Sequence, residues 1–99
     1  MEIQLQDRFL LKFQSCDQGV HLVLTKDGED YVCRKCSVSE LSKMVDGETH
    51  HLFKGRLQFQ LVGQGIQVVA KEVQVGILSV EFLREVVCAA KSKDLPDPD

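Results

Sequence analysis

The segment RLQFQLVGQGIQVVAKEVQVGILS, residues 56 to 79, alternates between apolar and other side chains in two runs, at residues 57–61 and 73–77. Its first part alternates in the order Leu57, Gln58, Phe59, Gln60 and Leu61. A period of two residues is typical of β-strands that bury one face and expose the other. Gly63-Gln64-Gly65 supplies one turn, and Lys71-Glu72 marks a second reversal. The segment therefore predicts a three-stranded antiparallel meander.

A helix signal follows this meander and a similar run in the first half of the chain. Ser79 can cap a segment whose apolar residues recur at helical spacing, namely Leu83, Val86, Val87 and Ala90. Upstream, residues 8–36 alternate in the same way, with Asp27-Gly28 as the clearest turn. Ser37 and Glu40 then form a capping box that predicts a second, shorter helix. These patterns indicate an α+β fold of antiparallel sheets with two helices.

The two helix segments resemble each other. SVSELSKMV (37–45) and SVEFLREVV (79–87) are identical at four of nine positions. One interpretation is a βββα unit used twice in one compact domain, over residues 8–46 and 55–91. The other is convergence, because capping and burial demand the same residue types wherever a helix follows a strand. The N-terminal EIQLQD could add an edge strand or pair with another chain.

Length and charge limit the domain organisation. Ninety-nine residues favour a single domain, which we place at 1–93, followed by a disordered acidic tail, DLPDPD, at 94–99. Three of the fifteen acids lie in that tail, so the body carries twelve acidic and twelve basic residues. A neutral body lacks the positive field that non-specific nucleic-acid binding uses.

The chain shows no stretch of roughly 18 apolar residues and no signal peptide at its start. We therefore expect no membrane span, a cytoplasmic location and reduced thiols at the four cysteines.

Cysteines raise the question of a metal site. Cys33-Arg34-Lys35-Cys36 has the spacing with which two thiolates bind zinc, and His50 and Cys16 could complete a set of four ligands. The adjacent His50 and His51 would point to opposite faces of a strand, and a second C-x2-C is missing. The favoured interpretation is therefore a strand that leads into a capped helix, with no cofactor. Cys88, beside Val87, is predicted to be buried.

Catalytic motifs are missing from the sequence. Gly63-Gln64-Gly65 lacks the lysine and helix of a phosphate-binding loop, and neither G-x-S-x-G nor H-E-x-x-H occurs. We expect a protein that is not an enzyme.

The best functional hypothesis from the sequence is a small binding or regulatory module that contacts proteins and associates with itself. Its candidate binding residues combine basic and glutamine side chains: Arg34, Lys35, Lys54, Arg56, Gln58 and Gln60. Pairing with a partner strand at a sheet edge is one mode such a module could use. The first alternative is a domain that binds single-stranded nucleic acid through a local basic stripe. The second is a small zinc-stabilised module built on Cys33 and Cys36.

Overall fold

The computed structural model describes residues 1–17 and 19–97. Within them the chain forms eight strands and two helices: β1 (Glu2–Gln4), β2 (Phe9–Cys16), β3 (Gly19–Lys26), β4 (Glu29–Cys36), α1 (Val38–Val45), β5 (His51–Leu52), β6 (Leu57–Val62), β7 (Gly65–Ala70), β8 (Val73–Ser79) and α2 (Val80–Lys91). None of these helices is long and apolar enough to cross a membrane.

The strands form two antiparallel sheets of four. Sheet A has the order β1-β2-β3-β4, and sheet B has the order β5-β6-β7-β8. The predicted α+β fold with a two-fold pseudo-repeat is confirmed, with one short strand added at the start of each repeat. In the first repeat that strand is the predicted N-terminal edge strand, in which Ile3 pairs with Leu11. In the second it has only two residues, which is too short to leave a periodic signal.

The repeats share irregular features as well as element order. Both hairpins between the third and fourth strands turn through two residues with positive φ, at Asp27-Gly28 and at Lys71-Glu72. The pairing register then shifts in each hairpin, after Leu24 in sheet A and after Val68 in sheet B. Such a shift marks a β-bulge, which bends and twists the strand locally. Both sheets are therefore bent at corresponding places.

Each repeat also covers the outer strand of the other sheet. The segment between β1 and β2 lies beside β8, where the backbone N–H of Gln6 donates to the carbonyl of Val75 at 3.2 Å. The corresponding segment between β5 and β6, residues 53–56, lies beside β4, where Nη1 of Arg34 donates to the carbonyl of Lys54 at 2.9 Å. These contacts join the two sheets at β8 and at β4.

One continuous core lies between the inner faces of the sheets and the two helices. Its largest fully buried side chains are Phe13, Phe59, Leu11, Leu22, Leu24, Leu41, Met44, Leu57, Ile66, Leu78, Leu83 and Val20. Leu41 and Met44 of α1 and Leu83 and Val86 of α2 form the buried stripes of the two helices, which lie against each other. The sequence periodicity predicted the positions of Leu83 and Val86.

The helix starts agree with the predicted caps. Ser37 Oγ accepts the N–H of Glu40 at 3.1 Å, and the Glu40 carboxylate accepts the N–H of Ser37 at 3.0 Å. Ser79 Oγ accepts the N–H of Phe82 at 3.0 Å. These bonds satisfy amides that have no partner inside the helix.

The C-terminal segment differs from the expected disordered tail. Leu95 is only 6% exposed and belongs to the core, and the carbonyl of Pro96 accepts the N–H of Ser15 at 2.7 Å. After α2, Lys93 adopts a φ of 59°, which turns the chain back towards sheet A. The burial of one leucine outweighs the polar composition around it, so that residues 94–97 lie against the body. Residues 98 and 99 lie outside the described range.

Candidate functional site

Strand alternation and pairing register place polar and small apolar side chains on the outer surface of sheet B. We call this surface the glutamine face; it consists of His51, Gln58, Gln60, Val62, Gln67, Val69, Gln74 and Ile77. In the centre of the sheet, Gln60 lies opposite Gln67, which lies opposite Ile77. Directly opposite residues project from the same side of a sheet, so these three side chains are neighbours.

The glutamine face carries no ionic charge when histidine is neutral. Strands β5 to β8 contain no Asp, Glu, Lys or Arg. The outer surface of sheet A, in contrast, carries Glu2, Lys12, Asp30 and Lys35. The large apolar side chains that stand out as exposed in the described residues all belong to sheet B: Val62 at 56%, Val73 at 59% and Ile77 at 57%. Sheet B therefore presents the less charged and more apolar outer surface of the two sheets.

Hydrogen bonds orient one end of this face. Nε2 of His51 lies 2.9 Å from Oε1 of Gln58, whose Nε2 donates to the carbonyl of Gly55 at 3.0 Å. The side-chain amides of Gln60 and Gln67, by comparison, make no hydrogen bond to any part of the chain that the structure describes. They are free to donate and accept outside the molecule.

A group of basic residues adjoins the glutamine face. We call it the cation seam; it consists of Arg34, Lys54, Arg56 and Lys71, beside the aromatic rings of Phe53 and Tyr31. The Arg34 guanidinium carbon lies 4.5 Å from the ring centroid of Phe53, and Nζ of Lys71 lies 4.0 Å from that of Tyr31. The backbone N–H of Lys71 donates to the backbone carbonyl of Arg56 at 2.8 Å, so Lys71 and Arg56 are neighbours in the seam.

Five of the six predicted binding residues fall in this region and one does not. Arg34 contacts Lys54 directly, and Arg56 leads into Gln58 and Gln60 on β6. Lys35 lies on the outer surface of sheet A, because neighbouring residues of a strand point to opposite faces. Lys35 is therefore the one candidate that lies apart from the other five.

Sequence reasoning did not bring His51, Val62, Gln67 and Ile77 into the site. The glutamines were visible as an alternating pattern, but their lateral order depends on strand register. Register follows from how the hairpins close and which face is buried, and no short motif encodes it.

The geometry does not assemble the alternative zinc site. Cys33 is exposed and Cys36 is buried, on opposite faces of β4. Across residues 1–17 and 19–97, no group of three or more His, Cys, Asp or Glu side chains lies close enough to hold a metal ion, so His50 and Cys16 do not complete a ligand set. Burial, followed by repulsion from Glu40, raises the pKa of Cys36 to about 12. Such a thiol stays protonated and unreactive.

The exposure of one cysteine differs from expectation. Cys88 is exposed on α2, although the sequence suggested burial beside Val87. Successive residues on a helix are turned by about 100°, so Cys88 points away from the stripe that Val87 belongs to.

A shallow cleft of about 970 Å³ lies at the end of sheet A where α1 begins. Its lining includes Cys16, His21, Lys35 and Glu40, residue types that occur in active sites. The Glu40 carboxylate, however, is already engaged by the helix cap. The Cys36 thiol also lines the cleft, and its raised pKa disfavours the reactive thiolate. Cys36 is therefore not an activated nucleophile.

Comparison of the chain with protein-family models, curated proteins and solved structures finds no match. The glutamine face and the cation seam are thus interpreted from their own chemistry.

Proposed function

We propose that the protein is a non-enzymatic binding module that acts through protein–protein contacts on the glutamine face and associates with a second copy of itself there. The observation that supports this proposal is the combination of an uncharged sheet surface with exposed Val62 and Ile77 in a chain that is 27% charged. Depletion of charged residues and a higher apolar share characterise the buried centres of protein interfaces.

A second copy fits this surface by its chemistry. A two-fold axis brings each residue against the same surface of the partner, so a charged face would meet its own charge. The glutamine face avoids that repulsion, and each amide of Gln60 and Gln67 both donates and accepts. Two such faces can therefore exchange hydrogen bonds while Ile77 and Val62 leave water.

Face-to-face contact suits the molecule better than strand addition. The outer strands β1 and β5 have only three and two residues. The outer strands β4 and β8 are approached by the connecting segments of the opposite repeat. Short and covered edges leave little backbone for an incoming strand.

The size of the face limits the affinity. Strands of six or seven residues and four strands across give a surface of roughly 20 by 15 Å. This area is small beside the roughly 800 Å² per partner of a standard interface, so we expect a weak dimer with a Kd of roughly 10 µM to 1 mM.

Sedimentation velocity over a concentration series tests the proposal. The variant Gln60→Glu/Gln67→Glu places two like charges at the centre of each face, and we expect it to remain monomeric where the original chain dimerises. The control is Gln14→Glu, the same single change on the outer surface of sheet A, which is compared with Gln60→Glu alone. Circular dichroism establishes that all variants are folded. A monomer at every concentration for the original chain, or equal weakening by the control, refutes the proposal.

A cytoplasmic location and the lack of a cofactor belong to the same proposal. All four cysteines are free thiols, as expected in a reducing compartment.

A further inference from the structure

We propose that the cation seam is a second binding site, separate from self-association, and that it takes phosphate groups. The seam lies at the border between sheet A and residues 53–56, next to the glutamine face but outside it.

Arg34 is the anchor of this site. Its side chain is held in place by the ring of Phe53 on one side and by the carbonyl of Lys54, which accepts from Nη1. Nε is buried and has no hydrogen-bond partner within the described residues. A buried polar atom without a partner is uncommon in a native protein and calls for an explanation. The guanidinium is thus fixed in orientation, while its charge is not balanced by an acid.

The other cations of the seam share this lack of counter-charge. The two ion pairs in the part of the chain that the structure describes join Arg8 to Asp27 and Arg84 to Glu81, and neither includes a residue of the seam. Glu72 follows Lys71 in the same turn but is not within 4.0 Å of a seam nitrogen. Four basic residues therefore lie along one border, although the chain as a whole carries a net charge of -3. Local attraction for an anion follows from this arrangement.

The chemistry favours phosphate over a stacked base or an isolated carboxylate. Phe53 and Tyr31 are already covered by Arg34 and Lys71, so neither ring is free as a stacking platform. A planar guanidinium matches the geometry of a phosphate with two parallel hydrogen bonds. Lys54 and Arg56 are exposed and add two further positive charges to the seam. A ligand with several linked phosphates, free or in a single nucleic-acid strand, fits best.

Fluorescence anisotropy with two labelled probes, and calorimetry with a third, test the inference and separate the sources. The probes are a labelled twelve-nucleotide oligothymidine, a labelled glutamate-rich peptide of equal charge, and unlabelled tripolyphosphate, whose binding is measured directly by isothermal titration calorimetry. With about four phosphate contacts, the logarithm of the oligothymidine affinity should fall against the logarithm of salt concentration with a slope of about -3.

Matched variants locate the binding. Lys54→Gln/Arg56→Gln removes two exposed charges, and should weaken binding at least fivefold and reduce the slope by about 1.4. Arg34→Gln should weaken it further, whereas Lys35→Gln, the adjacent residue on the opposite face, should change affinity less than twofold. The double variant keeps the inference testable should Arg34→Gln not fold.

Each result decides the question. Seam-dependent binding of oligothymidine assigns the phosphates to nucleic acid; seam-dependent binding of tripolyphosphate alone assigns them to a small ligand. Equal binding of the glutamate peptide, no binding of any probe, or equal loss in Lys35→Gln overturns the inference. Dimerisation through the glutamine face should be unaffected by the seam variants, so the two proposals can fail separately.

Discussion

Replacing Leu95 with alanine tests whether the C-terminal segment belongs to the folded body. Leu95 is 6% exposed. Truncating a leucine that is buried to this degree normally lowers the free energy of unfolding by about 2 to 5 kcal/mol. The segment lies near the end of the described chain and can detach without unfolding the sheets, which limits the loss. We therefore expect the free energy of unfolding to fall by about 2 kcal/mol, and Tm to fall by roughly 10 °C.

Two measurements check this value. Urea unfolding gives the change in free energy, with Asp94→Ala as the control, because that side chain is exposed and should stay within about 0.5 kcal/mol. Amide hydrogen exchange at Ser15 reports the contact itself, since its N–H donates to the Pro96 carbonyl at 2.7 Å. We expect slow exchange that becomes fast in Leu95→Ala. If Leu95→Ala leaves the free energy of unfolding unchanged and the Ser15 amide exchanges fast in the original chain, the C-terminal segment is not docked. That result would favour the disordered tail predicted from composition.

Three further predictions concern stability. Because folding raises the pKa of the Cys36 thiol to about 12, the folded protein keeps a proton that the unfolded thiol releases above about pH 9. The contribution of this proton to the free energy of unfolding is therefore complete below pH 9 and is lost as the pH rises towards 12. Urea unfolding at pH 8 and pH 10 should therefore show a smaller alkaline loss in Cys36→Val than in the original chain; equal losses would contradict the assigned shift. Ser37→Ala removes a complete capping box and should cost about 1 to 2 kcal/mol, more than Ser79→Ala, which removes a single capping bond. Equal costs in urea unfolding would argue against the capping box. A Cβ at Gly19, where φ is 149°, would overlap with the Cys36 carbonyl, so Gly19→Ala should cost at least about 3 kcal/mol, whereas Gly55→Ala has open space and should cost about 1 kcal/mol.

Local patterns were enough to predict most of the fold. The strands of sheet B each bury one face, so the alternation around Phe59 and Val75 is directly visible in the sequence. The reversal at Lys71-Glu72 is confirmed even though neither residue is a glycine, since the hairpin imposes two positive φ angles there. β5 could not be predicted, because His51 and Leu52 are a strand only through their pairing with β6.

The candidate site was predictable only as far as a single strand extends. Alternation placed Gln58 and Gln60 on one face, and that prediction agrees with the strand pairing. The neighbours contributed by other strands depend on register, and the path of residues 53–56 towards Arg34 depends on how the repeats meet. Whether Arg34 or Lys35 of β4 lies beside that segment depends on the same meeting.

Each half of the chain covers the last strand of the other half's sheet, and this arrangement has a consequence for the origin and folding of the chain. Neither half can complete its own structure, because the segment that shields the last strand of each sheet comes from the other half. A chain of half this length could form the same fold as a dimer, in which each copy covers the last strand of the other. In the full chain the few residues between α1 and β5 link the two halves covalently. Their association is therefore intramolecular and does not depend on protein concentration.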